Sequence, residues 1–177
     1  MSKTELSRQW FALGFKLRLC SAYHLERRRF FEFWNRLAQF LAIALGSSAC
    51  LALTGKGTQT AMWLTFSVTI LSAANLVIGF GRRSWEHARL HDQFVDIENA
   101  YRRATSSLDA YNDLMERKRN LDKAEPVPMP YLITRCHIDL MRADGHDERE
   151  WPKLHWCKRL LANYLPELGD PSTQSSS

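Results

Sequence analysis

Four groupings of residues in this 177-residue chain have types and spacings that could do chemistry. Gly55, Lys56, Gly57 and Thr58 bring together glycines, a lysine and a hydroxyl, the ingredients of a loop that cradles phosphate through backbone N–H groups. That pattern needs a glycine where Cys50 stands and a hydroxyl directly after the lysine, where Gly57 stands, so a nucleotide site is not expected. His87 and His91 are four residues apart, which on a helix lets two imidazoles share one metal ion. The zinc-protease arrangement requires Glu directly after the first histidine, but Ala88 follows and Glu86 precedes, so two histidines beside an apolar seam is the plainer reading. Cys136, His137, His155 and Cys157 offer a Cys2His2 donor set, yet neither pair has the usual two-residue gap within it. The fourth grouping, Thr65, Thr69, Ser72, Asn75 and Gly79, puts small and polar residues at spacings of four and three on one helical face. No metal, cofactor or catalytic residue is expected, and no enzymatic activity, because the acids and histidines are scattered along amphipathic helices without converging.

The fourth grouping takes its meaning from the elements around it. No Asp, Glu, Lys, Arg or His lies between Arg36 and Lys56, or between Lys56 and Arg82. Residues 37–54 and 61–80 inside these gaps are mostly apolar, and as helices they would be about 27 and 30 Å long, close to the hydrocarbon thickness of a bilayer. Residues 55–60 between them form a turn short enough to force antiparallel neighbours, so a two-helix transmembrane hairpin over 37–80 is expected. Eight Lys or Arg precede the first span and five lie between Arg82 and Arg103, against Lys56 alone in the turn, which predicts both termini on the cytoplasmic side. Phe30, Phe31, Phe33, Trp34, Trp63 and Trp85 stand at the span boundaries, where amphipathic rings prefer the headgroup zone. The competing reading is a soluble bundle with two wholly buried core helices, which calls for a larger protein than this one.

A net charge of +5 and a pI near 9.2 would alone suit nucleic acid or an anionic membrane. Position favours lipid headgroups: Arg27, Arg28, Arg29 and Arg36 lead into the first span, and Arg82 and Arg83 follow the second. Nucleic acid is not an expected partner. Four cysteines without CxxC spacing argue against a disulfide framework, and the polar start of the chain does not read as a cleaved signal peptide.

Outside the spans, Leu6, Trp10, Leu13, Leu17 and Cys20 predict an amphipathic N-terminal helix within residues 1–36, whose apolar face needs either the membrane surface or the post-hairpin helix. Residues 84–123 contain no Gly or Pro, and Leu90, Phe94, Ile97, Tyr101, Ala104, Leu108, Tyr111 and Met115 repeat as a coiled-coil seam. This predicts one long helix and oligomerisation along that seam. Pro126, Pro128 and Pro130 then break the chain. Two shorter helices, Tyr131 to Arg142 and Trp151 to Leu165, complete a cytoplasmic region over 81–165, and residues 166–177 read as a disordered tail. The polar stripe of the second span keeps two readings: it packs on the first span, where Gly46, Ser47, Ser48 and Ala49 offer a smooth surface, or it lines water in an oligomeric pore.

These features resemble the SLATT family of two-transmembrane effectors. The segment Ala22 to Phe31 is similar to the family's basic and aromatic lead-in, His87, Ala88, Arg89 and Leu90 with Phe94, Ile97 and Glu98 to the start of its post-hairpin helix, and Glu125 with Pro126 to the turn closing that helix. The resemblance covers about residues 5 to 165. It implies a homo-oligomeric pore-forming effector of bacterial antiviral defence in the inner membrane, triggered by a separate sensor or nucleotide-signalling partner, and carries over no catalytic residues. The alternative from another class is a non-conducting membrane anchor or adaptor. The expected fold is thus an all-α membrane protein, a two-helix transmembrane hairpin flanked by cytoplasmic amphipathic and long coiled-coil-like helices.

Overall fold

The computed structural model describes residues 2–54 and 58–146, with side chains placed for 2–48 and 59–146. All regular structure among them is helical: α1 (Lys3–Thr54), α2 (Thr58–Ile78), α3 (Phe80–Arg103), α4 (Leu108–Asp122) and α5 (Pro130–Ala143). The N-terminal helix and the first apolar stretch are one element. No proline interrupts α1, and Ser2 starts it, its Oγ accepting from the Glu5 N–H at 3.2 Å. Between α2 and α3 only Gly79 leaves the helical region, at φ +66°, a conformation that costs a residue with a Cβ. The ladder continues around it, with Gly79 N–H donating to Asn75 O at 2.9 Å and Arg83 N–H to Gly79 O at 3.0 Å.

The chain divides into two compact units, one formed by Met1–Leu25 with the residues from Arg89 onward and the other by Glu26–Ala88. These units are drawn by contacts, whereas the segments 1–36, 37–80 and 81–165 follow charge and hydropathy along the chain.

In the first unit the start of α1 packs against α3 and α4. Leu13, Leu17, Phe94, Ile97 and Leu114 form its core, with Trp10, Tyr101, Tyr111 and Met115 partly buried around them. The close approach is visible at Gly14, where a Cβ would stand 2.5 Å from the Tyr101 ring. Trp10 stacks on that ring, centroids 4.9 Å apart. A smaller cluster of Tyr23, Leu132 and Cys136 seats α5 on α1. The segment between α4 and α5 is pinned to α1 by His24 Nε2 with Glu125 Oε1 at 3.0 Å, and by the Met129 N–H donating to Tyr23 Oη at 3.2 Å. Beyond α5, Arg18 holds Asp144 with two bonds of 2.9 and 2.7 Å.

One expectation is corrected here. The helix predicted to run unbroken over 84–123 ends at Arg103 and restarts at Leu108. Thr105, Ser106 and Ser107 lie in the break, where hydroxyl residues are favoured over the helix interior, and Ser107 caps α4 by accepting from the Ala110 N–H at 3.2 Å. Within one chain, the seam residues Leu90, Phe94 and Ile97 are buried, Tyr101, Tyr111 and Met115 pack on the same core, and Leu108 is exposed. The break lets α4 fold back so that Leu114 covers the core. The expected helix over Trp151 to Leu165, the tail over 166–177, and His155 with Cys157 lie outside the described residues.

Candidate membrane-facing surface

Apolar side chains point outward over much of the second unit, Glu26–Ala88. The run Gln59–Arg103, which crosses from α2 into α3, contains an 18-residue stretch long and apolar enough to cross a membrane, and 6 % of that stretch is buried. It is the one such segment among the described residues. Met62, Trp63, Phe66, Ile70, Leu76 and Val77 are all exposed on it, the last two at 84 % and 85 %. On α1, Phe33, Phe40 and Ile43 are exposed as well. Exposed apolar side chains in such number are uncommon on a soluble monomer and mark a surface that meets another protein or a membrane.

The inward face of α2 is formed by Ala61, Leu64, Val68, Leu71 and Ala74, spaced at three and four, and α1 turns Phe31, Ala38, Ala42 and Leu45 to the less exposed side. The polar stripe lies elsewhere. Thr65, Thr69 and Ser72 are exposed, while Asn75 and Gly79 are half-buried. The helix-packing reading of the stripe is therefore not the arrangement within one chain over Thr65 to Ser72, where larger aliphatic residues take the inward positions. Thr69 Oγ1 donates to Thr65 O at 2.9 Å, and Ser67 Oγ to Trp63 O at 2.9 Å, so two hydroxyls satisfy themselves within the helix. The side chains of Thr65, Ser72 and Asn75 make no hydrogen bond to any described residue.

Below the apolar surface, the expected interface arginines divide by environment. Arg29 pairs with Glu26 at 3.0 Å, Arg82 with Glu86 at 2.8 Å, and Arg36 with Glu32, each within its own helix. Arg27 is buried, its guanidinium 4.5 Å from the Phe31 ring centroid, and Arg83 stands 5.8 Å from the same ring. Such cation–π placement lets a guanidinium sit against apolar surface. His87, also buried, stacks on Phe31 with centroids 5.6 Å apart and planes 11° from parallel. Trp34 stacks on Phe80 at 6.4 Å. Phe31 thus organises the α1–α3 contact of this unit. Its spacing of four from Arg27 was visible in the sequence, but the contributions of Arg83 and His87 come from a distant segment and carried no such signal.

The paired histidines do not act together. His87 faces Phe31, whereas His91, in the first unit, meets the Ser21 carbonyl through Nδ1 at 2.9 Å and Ser21 Oγ at 3.2 Å. A carbonyl only accepts, so Nδ1 carries a proton. Cys136 is buried in the α5 cluster and His137 packs edge-on to Phe15 at 5.0 Å. No group of three or more potential metal ligands occurs among the described residues. Burial pushes the Cys20 thiol up to about 11, the opposite of what a reactive thiolate needs. The Arg18 bond holds the Asp144 carboxyl below its ordinary value, and Asp144 in turn raises Arg18. No family model, curated protein or solved structure matches this chain.

Proposed function

We propose that the chain is a membrane effector that assembles into a pore, with residues 37–54 of α1 and α2 crossing the bilayer as a hairpin and both termini on the cytoplasmic side. The observation that carries this reading is the outward position of Thr65, Thr69 and Ser72 on a helix that also turns Met62, Trp63, Phe66, Ile70, Leu76 and Val77 outward. In hydrocarbon, hydroxyl and amide groups without partners cost several kcal/mol by order of magnitude, so Thr65, Ser72 and Asn75 favour either water in a lumen or a second copy of α2. Two helices cannot enclose a channel, and a homo-oligomer built through α2 supplies the missing walls.

The resemblance to SLATT effectors extends this to depolarising the bacterial inner membrane in antiviral defence when a separate sensor is triggered. A differential affinity of a few kcal/mol for one packing of the cytoplasmic helices is enough to switch such an assembly. Leakage of an ion-sensitive dye from liposomes carrying the full chain tests the reading, and no leakage under any activating condition removes it. Asn75→Leu is expected to abolish leakage while leaving the chain in the membrane.

One observation favours a second reading. Thr69 returns its hydroxyl bond to Thr65 O, so the middle of the stripe could face lipid at little cost, as in a non-conducting anchor or adaptor. Harmless overexpression with a stable co-purifying partner would support that reading, and collapse of the membrane potential the pore.

A further inference from the structure

We propose that Arg28 and Arg83 together hold the phosphate of an anionic phospholipid, a site that rests on the membrane reading above. Residues 26–88 carry seven Lys or Arg against three carboxylates, so nearly all of the chain's net charge of +5 resides in this unit. Each of the three carboxylates takes an arginine of its own helix: Glu26 takes Arg29, Glu32 takes Arg36 and Glu86 takes Arg82. Arg27 is buried, with its guanidinium over the Phe31 ring. Arg28 and Arg83 differ from all of these. Their guanidinium groups have no carboxylate or hydrogen-bond acceptor among the described residues, and Arg83 is exposed.

The backbone brings α1 and α3 together at these positions. Ser84 Oγ donates to the Arg28 carbonyl at 3.4 Å, which sets the Arg83–Ser84 step of α3 against α1 at Arg28. The Arg83 guanidinium stands 5.8 Å from the ring centroid of Phe31, one turn along from Arg28. Two planar forks from two helices suit the oxygens of one phosphate, which accepts several charge-assisted bonds at once. Exposed Trp85 on α3 is of the type expected where headgroup meets acyl chain, and exposed Phe33 on α1 offers an apolar ring to the chains. A phosphate tethered to acyl chains matches both the cations and these aromatics, whereas free phosphate would use only the cations.

Native mass spectrometry of the full chain, extracted from vesicles of mixed phosphatidylglycerol and phosphatidylcholine, counts the lipid retained. The wild-type chain should retain phosphatidylglycerol in preference to phosphatidylcholine. At about 1 kcal/mol per arginine near a headgroup, R28Q/R83Q should weaken retention about thirtyfold. R29Q/R36Q, which removes two carboxylate-paired arginines, should change it less than about threefold. Inorganic phosphate at matched ionic strength should not displace the lipid. No lipid preference in the wild-type chain, equal loss in both double variants, or full displacement by phosphate each overturns the proposal. Alkaline carbonate extraction from pure phosphatidylcholine vesicles separates its failure from that of the membrane reading: a chain that stays in the membrane while retaining no anionic lipid sinks the site alone, and a chain that washes off sinks both.

Discussion

Replacing Phe94 with alanine tests whether the α3 seam packs within one chain or between chains. Phe94 is 0 % exposed, touches the core of Leu13, Leu17, Ile97 and Leu114, and stacks on His24 with ring centroids 5.5 Å apart. Truncating a buried phenylalanine to alanine costs about 3–5 kcal/mol, from lost transfer energy and the cavity left behind. Little collapse is available here, because the neighbours belong to three different helices and His24 is held by Glu125. A loss near 4 kcal/mol is therefore expected, a large part of the 5–15 kcal/mol that stabilises an ordinary domain. Pulse proteolysis in mild detergent, read at two protein concentrations, measures it. An intrachain core gives the same loss at both concentrations. A loss below about 1 kcal/mol, or one that grows on dilution, would refute the packing described for Phe94 and return the seam to an oligomer contact.

Gly79→Ala places a Cβ at φ +66° and should destabilise the α2–α3 junction by about 1–2 kcal/mol or straighten it, which hydrogen exchange at Phe80 to Ser84 would register; unchanged exchange argues against a fixed left-handed residue there. Cys20 predicts an alkaline limb. Its folded-state value near 11 lies above the ordinary 9.0, so the neutral thiol's contribution is intact below about pH 9 and is lost as pH rises toward 11, by about 2–3 kcal/mol in all. Burial raises the Tyr101 hydroxyl too, which adds in the same direction at higher pH, so the comparison is with Cys20→Ala, whose stability should fall less between pH 9 and 11. Equal slopes would count against a buried Cys20.

Much of the helical content was readable from composition and period. The charge-free gaps marked where apolar helices run, the prolines after Glu125 marked the end of α4, and the alternation in Tyr131 to Arg142 marked α5. The break at Thr105 to Ser107 carries a weaker signal, hydroxyl residues before Leu108 with neither Gly nor Pro among them. The polar stripe of α2 was found at its correct spacing. Its direction was not, because a helix carries two usable faces here and only packing volume chooses: Leu64, Val68 and Leu71 fill the inward side better than Thr65, Thr69 and Ser72.

From its residue order alone this chain was bound to be helical, to hold long uncharged apolar stretches, and to concentrate basic and aromatic residues at their ends, since those properties depend on local pattern and charge. Tertiary structure decided which partner each face meets. The seam of α3 reads identically whether it packs on another copy or on its own N-terminus, and the hydroxyl break before α4 lets Leu114 join Leu13, Leu17 and Ile97 around Phe94 within one chain. The pairing of Arg83 and His87 with Phe31 belongs to the same class, because it joins residues more than fifty positions apart that no periodicity links.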